Sequence, residues 1–176
     1  MEQETLVLIK PDGVARGLVG EIISRFERAG LQITGLKLVK ATEEQADAHY
    51  ILSDEWVKSL AAKTRESYAK RGIELKETDY EIAKKVQTNL KRMLLAGPIV
   101  AMVVKGNCAI EIVRKLVGST EPKSAAAGTI RGDYSTDSYD LADSEERAIW
   151  NLVHASSSEE EAKREIAVWF QKVFYY

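Results

Sequence analysis

Two stretches of this chain constrain its fold more than any others: TLVLIK at Thr5–Lys10 and IVAMVVK at Ile99–Lys105. Both are nearly free of polar residues, rich in β-branched side chains and too short for a buried helix. A half-exposed strand would alternate, so an unbroken apolar run of this length reads as a strand covered on both faces. The remaining chain must supply that cover. With 176 residues, 45% of them hydrophobic, there is material for one such core.

The flanking segments fit that role. PDG follows the first strand as a turn, and Leu18, Ile22, Ile23 and Phe26 recur at helical spacing before Gly30, which can close the helix in a left-handed cap. LQITGLKLVK (Leu31–Lys40) reads as another strand. Thr42 with Gln45 forms a capping box for a helix running towards Leu52, and a further helix covers Asp54 to about Thr64. Ile110, Val113, Leu116 and Val117 face inward on a helix after the IVAMVVK strand. Near the end come a short apolar strand around Leu152–Val153 and a helix from Ser158 to Phe170.

Two regions stand apart. From Arg65 to Leu95 charges are dense, and Ile82, Val86, Leu90, Met93 and Leu94 mark one amphipathic helix, an arm whose charge is either a solvated face or a contact surface. Gly118–Tyr139 has no periodicity, and a loop that long is either functional or disordered. With the arm set aside, the order is βαββαβ. The expected fold is a single α+β domain of the ferredoxin-like, split βαβ type: a four-stranded antiparallel sheet with helices on one face and an inserted helical arm.

Composition narrows the function. A net charge of −2 and strands without exposed aromatics argue against an RNA-binding sheet. The single cysteine, Cys108, excludes an internal disulfide framework and reads as a small core or helix-start residue. MEQETLVLIKPDG is acidic where a signal peptide is basic, and no window approaches the roughly 20 apolar residues of a membrane span. A soluble, cytoplasmic protein is expected.

Chemistry concentrates in NLVHASSSEEEAKREIAVWF, Asn151–Phe170. Ala162, Ile166 and Trp169 define the apolar stripe of the last helix, and Glu165 falls on that stripe. A carboxylate there is costly unless paired, and His154 is the nearest partner in sequence. Either Glu165 snorkels beside a capping histidine, or it fixes the imidazole tautomer and frees the other ring nitrogen as a nucleophile or base. Asn151 and His154 are three residues apart, so a regular strand cannot point both to one face. Lys10, Arg114, Thr120 and Arg131 sit at strand or helix ends and in a Gly/Thr-rich loop. They are surface charge, or they are the donors a polyphosphate requires. No Walker A pattern is present. His49 is expected to pack or hydrogen-bond near Tyr50.

IKPDGVARGLVGEII with RFE and Gly30 after it, HY at His49–Tyr50, GPIVAMVVKG, GTIRGDY and NLVHASSS…EIAVWF occur in that order. Together they resemble the nucleoside diphosphate kinase family. The resemblance implies transfer of the terminal phosphate of a nucleoside triphosphate, mainly ATP, to a nucleoside diphosphate through a phosphohistidine. It makes His154 the phosphorylated residue and Glu165 the carboxylate that orients it. Lys10, Tyr50, Arg114, Thr120 and Arg131 would surround the phosphates. Asn151 would contact the ribose 3′-hydroxyl, and Trp56 would stack on the base. Mg²⁺ is the implied cofactor, nucleoside di- and triphosphates the partners, and a hexamer or tetramer the assembly; neither nucleic acid nor membrane is expected.

Three departures from the family pattern stand out. Ser157 replaces the usual aspartate of a Gly-Ser-Asp sequence, and segments at about 65–95 and 135–150 are extra. The competing reading is a catalytically silent nucleotide-binding regulatory module, which loss of the histidine, the arginines or Lys10 would favour; all are present.

Overall fold

Strands β2 (Gln32–Lys40), β3 (Pro98–Asn107), β1 (Glu2–Ile9) and β4 (Val153–Ala155) form one antiparallel sheet in that spatial order. The computed structural model describes residues 2–170. The two uninterrupted apolar runs lie side by side in the middle, with Thr5 opposite Val104 and Ile9 opposite Val100. This is the split βαβ arrangement the element order predicts.

The cover is fuller than predicted. Val7, Ile9, Val100, Met102 and Val104 pack against Ile22 and Phe26 of α2 (Val19–Arg28) and Val113 of α6 (Ala109–Val117). On the opposite face Leu6, Leu8, Ile99 and Ala101 pack against Ala46 of α3 (Glu43–His49), Leu94 of α5 (Asp79–Leu95) and Trp169 of α9 (Glu159–Trp169). Helices on one face is therefore corrected to helices on both. Strands this apolar allow no other outcome, since each would lose on the order of 25 cal/mol for every Å² of apolar surface left in water. Edge strand β2 alternates half-buried and exposed positions and leaves Leu36 and Leu38 on the surface.

Local signals set several boundaries. Gly30, at φ +81°, follows α2 as expected. Thr42 and Gln45 form both halves of the capping box, at 3.2 and 3.1 Å. Helix α3 stops at His49 rather than near Leu52, and α4 runs Asp54–Ala69, past Thr64. The α4–α5 pair is a hairpin closed by Arg65, which donates to the carbonyls of Leu75 (2.7 Å) and Glu77 (2.5 Å). Gln87 ties α5 back to the body by donating to the carbonyl of Tyr50 at 2.6 Å.

The stretch from Gly118 to Tyr139 is not a featureless loop. It holds a 3₁₀ turn at Pro122–Ser124 and α7 (Ile130–Tyr134), and α8 (Tyr139–Ser144) starts at its end. These pieces, like α1 (Pro11–Ala15), are too short to show a 3.6-residue period. Among the described residues no helix is long and apolar enough to cross a membrane.

Candidate active site

Strand β4 is only three residues long because the chain before it bends sharply. Leu152 has φ +69°, its amide donates to Asp12 Oδ2 at 2.9 Å, and its carbonyl accepts from the Lys10 amide at 2.8 Å. This kink is the irregularity that the Asn151–His154 spacing requires if both residues are to face one ligand. It sets Asn151 beside Lys10, whose ammonium donates to Asn151 Oδ1, while Asn151 Nδ2 donates to the Thr120 carbonyl at 2.7 Å.

Arg131 braces the same turn from α7. Its guanidinium donates to the carbonyls of Asn151 (3.2 Å), Gly118 (2.9 Å) and Val153 (2.7 Å), leaving one N–H on each terminal nitrogen. Gly118 must be glycine here: its φ is +85°, and a Cβ would sit 2.5 Å from Thr129 Oγ1. Arg114 reaches the Ala155 carbonyl at 3.5 Å and keeps an exposed head whose charge is felt by Arg131. Burial, with Arg114 adding to it, lowers the Arg131 pKa to about 10, so the side chain remains a cation at neutral pH.

His154 lies opposite Leu8 in the sheet, with its side chain 22% exposed. Its Nε2 is 2.8 Å from Glu165 Oε2, which also accepts from Ser156 Oγ at 2.7 Å. A carboxylate offers only lone pairs, so Nε2 carries the ring proton and Nδ1 keeps a free electron pair. Glu165 is 1% exposed. Burial acts to raise its pKa, but the charge and hydrogen bond of His154 outweigh burial and hold it below the ordinary carboxylate value. Its contribution to stability is therefore present at neutral pH and lost as acid protonates the folded-state carboxylate.

Beneath this pair lies His49, buried, its ring edge-on to His154 at 4.5 Å and to Tyr50 at 4.6 Å. Trp169 Nε1 donates to His49 Nδ1 at 3.3 Å. Burial and then the His154 charge push the His49 pKa down to about 3, which keeps this imidazole neutral. Burial also raises the Tyr50 pKa, with help from the Glu165 and Asp12 charges. Cys108 begins α6 at φ +50°, the helix-start role.

The structure thus ties Lys10, Asn151, Thr120 and Arg131 together at the turn that leads into His154, and Arg114 to the carbonyl of the next residue, Ala155. Tyr50 sits below, against His49. Trp56 is half-buried in the first turn of α4, its amide bonded to Ser53 Oγ at 3.2 Å. Sequence reasoning missed three supports: Asp12, Ser156, and Asp137 with Arg147. Buried Asp137 accepts from Arg147 Nη1 at 2.6 Å and from the Trp150 amide at 2.7 Å, fixing the chain just before Asn151. The serine was visible in ASSS, but nothing local marked the Asp137–Arg147 pair.

Burial lowers the Lys10 pKa to about 8, with Asp12 opposing and Arg131 adding to the shift. As pH rises past about 8, kcat/KM is expected to fall towards tenfold per pH unit while Lys10 loses its charge in the free protein. Lys10→Arg should move that limb upward; an unchanged profile would separate it from Lys10. Stability runs the other way. Between about 8 and the ordinary 10.5 the unfolded chain binds more protons at this site, so this term favours folding increasingly as pH rises.

A family model described as nucleoside diphosphate kinase matches residues 3–66 and 74–174, leaving out 67–73. A Pyrobaculum aerophilum protein called nucleoside diphosphate kinase is 52% identical over 175 residues, spanning 97% of this chain and 96% of the relative. A Borreliella burgdorferi protein of the same description is 37% identical, over 96% of this chain and 87% of its own. Among solved structures, an NDP kinase from Pyrobaculum aerophilum superposes with a TM-score of 0.92 at 51% identity, covering 98% of this chain and 97% of the other. A transition-state mimic of nucleoside-diphosphate kinase from Borrelia burgdorferi, with bound vanadate and ADP, gives 0.80 at 38% identity, covering 97% and 88%.

Proposed function

Because the chain belongs to the nucleoside diphosphate kinase family, we propose that His154 carries the phosphate between a nucleoside triphosphate and a nucleoside diphosphate. The observation behind this reading is the hydrogen bond of 2.8 Å between His154 Nε2 and buried Glu165, which leaves Nδ1 as the free nucleophile. In the first half-reaction the Nδ1 lone pair forms an N–P bond as the bond from the γ-phosphorus to its bridging oxygen breaks. That electron pair leaves with the nucleoside diphosphate. Phosphorylated Nδ1 with a protonated Nε2 makes the ring an imidazolium, and Glu165 is its counter-ion. A terminal oxygen of the second diphosphate then attacks phosphorus, and the N–P electrons return to Nδ1.

Lys10, Arg114, Arg131 and Thr120 supply positive charge and donors to the phosphate oxygens, the main requirement of phosphoryl transfer. Asn151, tied to Lys10 and Thr120, is the partner for the ribose 3′-hydroxyl. Tyr50 backs the histidine, and Trp56 stacks on the base with little selectivity.

Mg²⁺, if bound with the triphosphate, would supply charge neutralisation at the phosphate oxygens. Ser157 lacks a carboxylate, but Glu161 fits the need. It accepts from both the amide and the hydroxyl of Ser157 at 2.5 Å, and, although burial opposes the shift, these bonds and the neighbouring His154 lower its pKa. Glu161 is thus a carboxylate available to the hydrated ion. The apolar side chains on edge strand β2 support assembly into a homo-oligomer, a hexamer or tetramer. We read the chain as one cytoplasmic domain, with the arm and the 135–150 segment as elaborations, and nucleotides rather than nucleic acid or membrane as its partners.

Steady-state kinetics with ATP and a varied acceptor test the scheme. Parallel double-reciprocal lines are expected. Intersecting lines would mean direct transfer in a ternary complex and remove the phosphohistidine from the cycle.

A further inference from the structure

The turn that carries Asn151 is clamped from two sides. Family-like strings supply one side: Asp12 of IKPDG accepts from the Leu152 amide, and Arg131 of GTIRGDY holds the carbonyls of Asn151 and Val153. The extra 135–150 segment supplies the other. Asp137 Oδ2 accepts from the Trp150 amide at 2.7 Å, and Ser135 Oγ donates to the Trp150 carbonyl at 2.9 Å. That carbonyl belongs to the peptide bond joining Trp150 to Asn151, so the extra segment sets the plane from which Asn151 projects.

This second side is itself rigidly held. Asp137 is 7% exposed and accepts from both terminal nitrogens of Arg147, at 2.6 and 3.0 Å. A forked pair of this kind fixes direction as well as distance. Burial acts to raise the Asp137 pKa, but hydrogen bonds from Arg147 and from the Trp150 and Ser138 amides outweigh it and hold the carboxylate below its ordinary value. Arg147 reaches this place because α8 ends in a sharp reversal. Glu146 takes φ +51°, its amide returns to the Asp143 carbonyl at 3.1 Å, and the Arg147 amide returns to the Ala142 carbonyl at 3.0 Å. The Arg147 guanidinium then lies over the Trp150 ring, 4.3 Å from its centroid. On the far side the Lys123 amide donates to the Asp137 carbonyl at 3.1 Å.

We propose that Asp137 is a positioning residue for specificity: through the Trp150 peptide it aims the Asn151 side chain, and so sets how strongly the site prefers an acceptor with a ribose 3′-hydroxyl. The proposal rests on the reading of Asn151 as the partner of that hydroxyl. The two ends of the Asn151 side chain meet the Lys10 ammonium and the Thr120 carbonyl, a fit that a tilted backbone breaks. The phosphate-binding cations are anchored separately. The Lys10 amide donates to the Leu152 carbonyl, and Arg131 keeps the carbonyls of Gly118 and Val153. Loss of Asp137 therefore shifts Asn151 and leaves those cations in place.

Single-turnover transfer from the phosphorylated full-length protein to ADP and to 3′-deoxy-ADP, both with Mg²⁺, tests this. The wild-type protein should react faster with ADP by roughly 10- to 100-fold, the worth of a hydroxyl bonded in part by a charged group. Asp137→Ala should shrink that ratio by about 3- to 10-fold, with transfer to 3′-deoxy-ADP within about threefold of wild type. Removing one partner of a buried ion pair also threatens the fold of the segment. Ser135→Ala leaves the pair intact and is the second variant; it should shrink the ratio by about 2- to 5-fold. In an Asn151→Ala background, adding Asp137→Ala should leave the ratio unchanged. An unchanged ratio in Ser135→Ala or in folded Asp137→Ala, an equal loss with both acceptors, or a further change in the Asn151→Ala background would each overturn the proposal. A wild-type protein with no preference between the acceptors, or a preference that Asn151→Ala leaves intact, would instead defeat the reading of Asn151, and the proposal with it.

Discussion

Replacing His154 by glutamine is expected to abolish phosphate transfer, lowering kcat by at least roughly 10⁴-fold, the order seen when a covalent nucleophile is removed. ADP should still bind within a few-fold of wild type, because Lys10, Arg131, Thr120 and Asn151 are organised through their own contacts with the Leu152 turn and not through the imidazole. Glutamine can also accept the role of partner to Glu165, so the fold beneath the site should survive. Coupled-assay turnover alongside ADP calorimetry separates these effects. Turnover within a hundredfold of wild type would place the nucleophile elsewhere.

The second large effect is expected at Glu165. Glu165→Ala removes the acceptor that holds the His154 proton on Nε2, the counter-ion of the phosphorylated ring, and the partner of the Ser156 hydroxyl. Transfer should slow by roughly 10- to 100-fold, the order of loss when the carboxylate behind a metal-bound imidazole is removed. It should not vanish, since Nδ1 and the phosphate-binding residues remain. Glu165→Gln, whose carbonyl can still accept from Nε2–H, should lose less. Pre-steady-state rates of His154 phosphorylation provide the readout, with circular dichroism melts as the check on folding. Wild-type rates in Glu165→Ala would assign the carboxylate a purely structural role.

Much of this site was legible before any coordinates. Glu165 was conspicuous because it interrupts the stripe of Ala162, Ile166 and Trp169, and a buried carboxylate needs a partner. For Asn151 and His154 to face one ligand, their three-residue spacing demands a break in the strand, and Leu152 bends the chain between them at φ +69°. The central strands announced themselves through uninterrupted apolar runs, and the same runs already implied cover on both faces, against the one-sided sheet inferred from element order. What the sequence did not carry was long-range pairing. Asp12 reaches Leu152 and Arg71 reaches Asp143 across many residues, and no local pattern encodes such contacts. Helices α1, α7 and α8, of five or six residues, are shorter than two turns and leave no periodic trace. His49 was placed near Tyr50 correctly, but its edge-on contact with His154 depends on the crossing of α3 and β4, which only the fold determines.

Intact-protein mass after brief exposure to ATP and Mg²⁺, followed by addition of a different nucleoside diphosphate, tests the central claim most directly. Wild-type protein should gain one phosphate, the gain should be labile to acid, and it should disappear when the acceptor is added; His154→Gln should gain none. ATP binding without any gain of mass, or a phosphate that survives acid and persists in His154→Gln, would contradict transfer through His154.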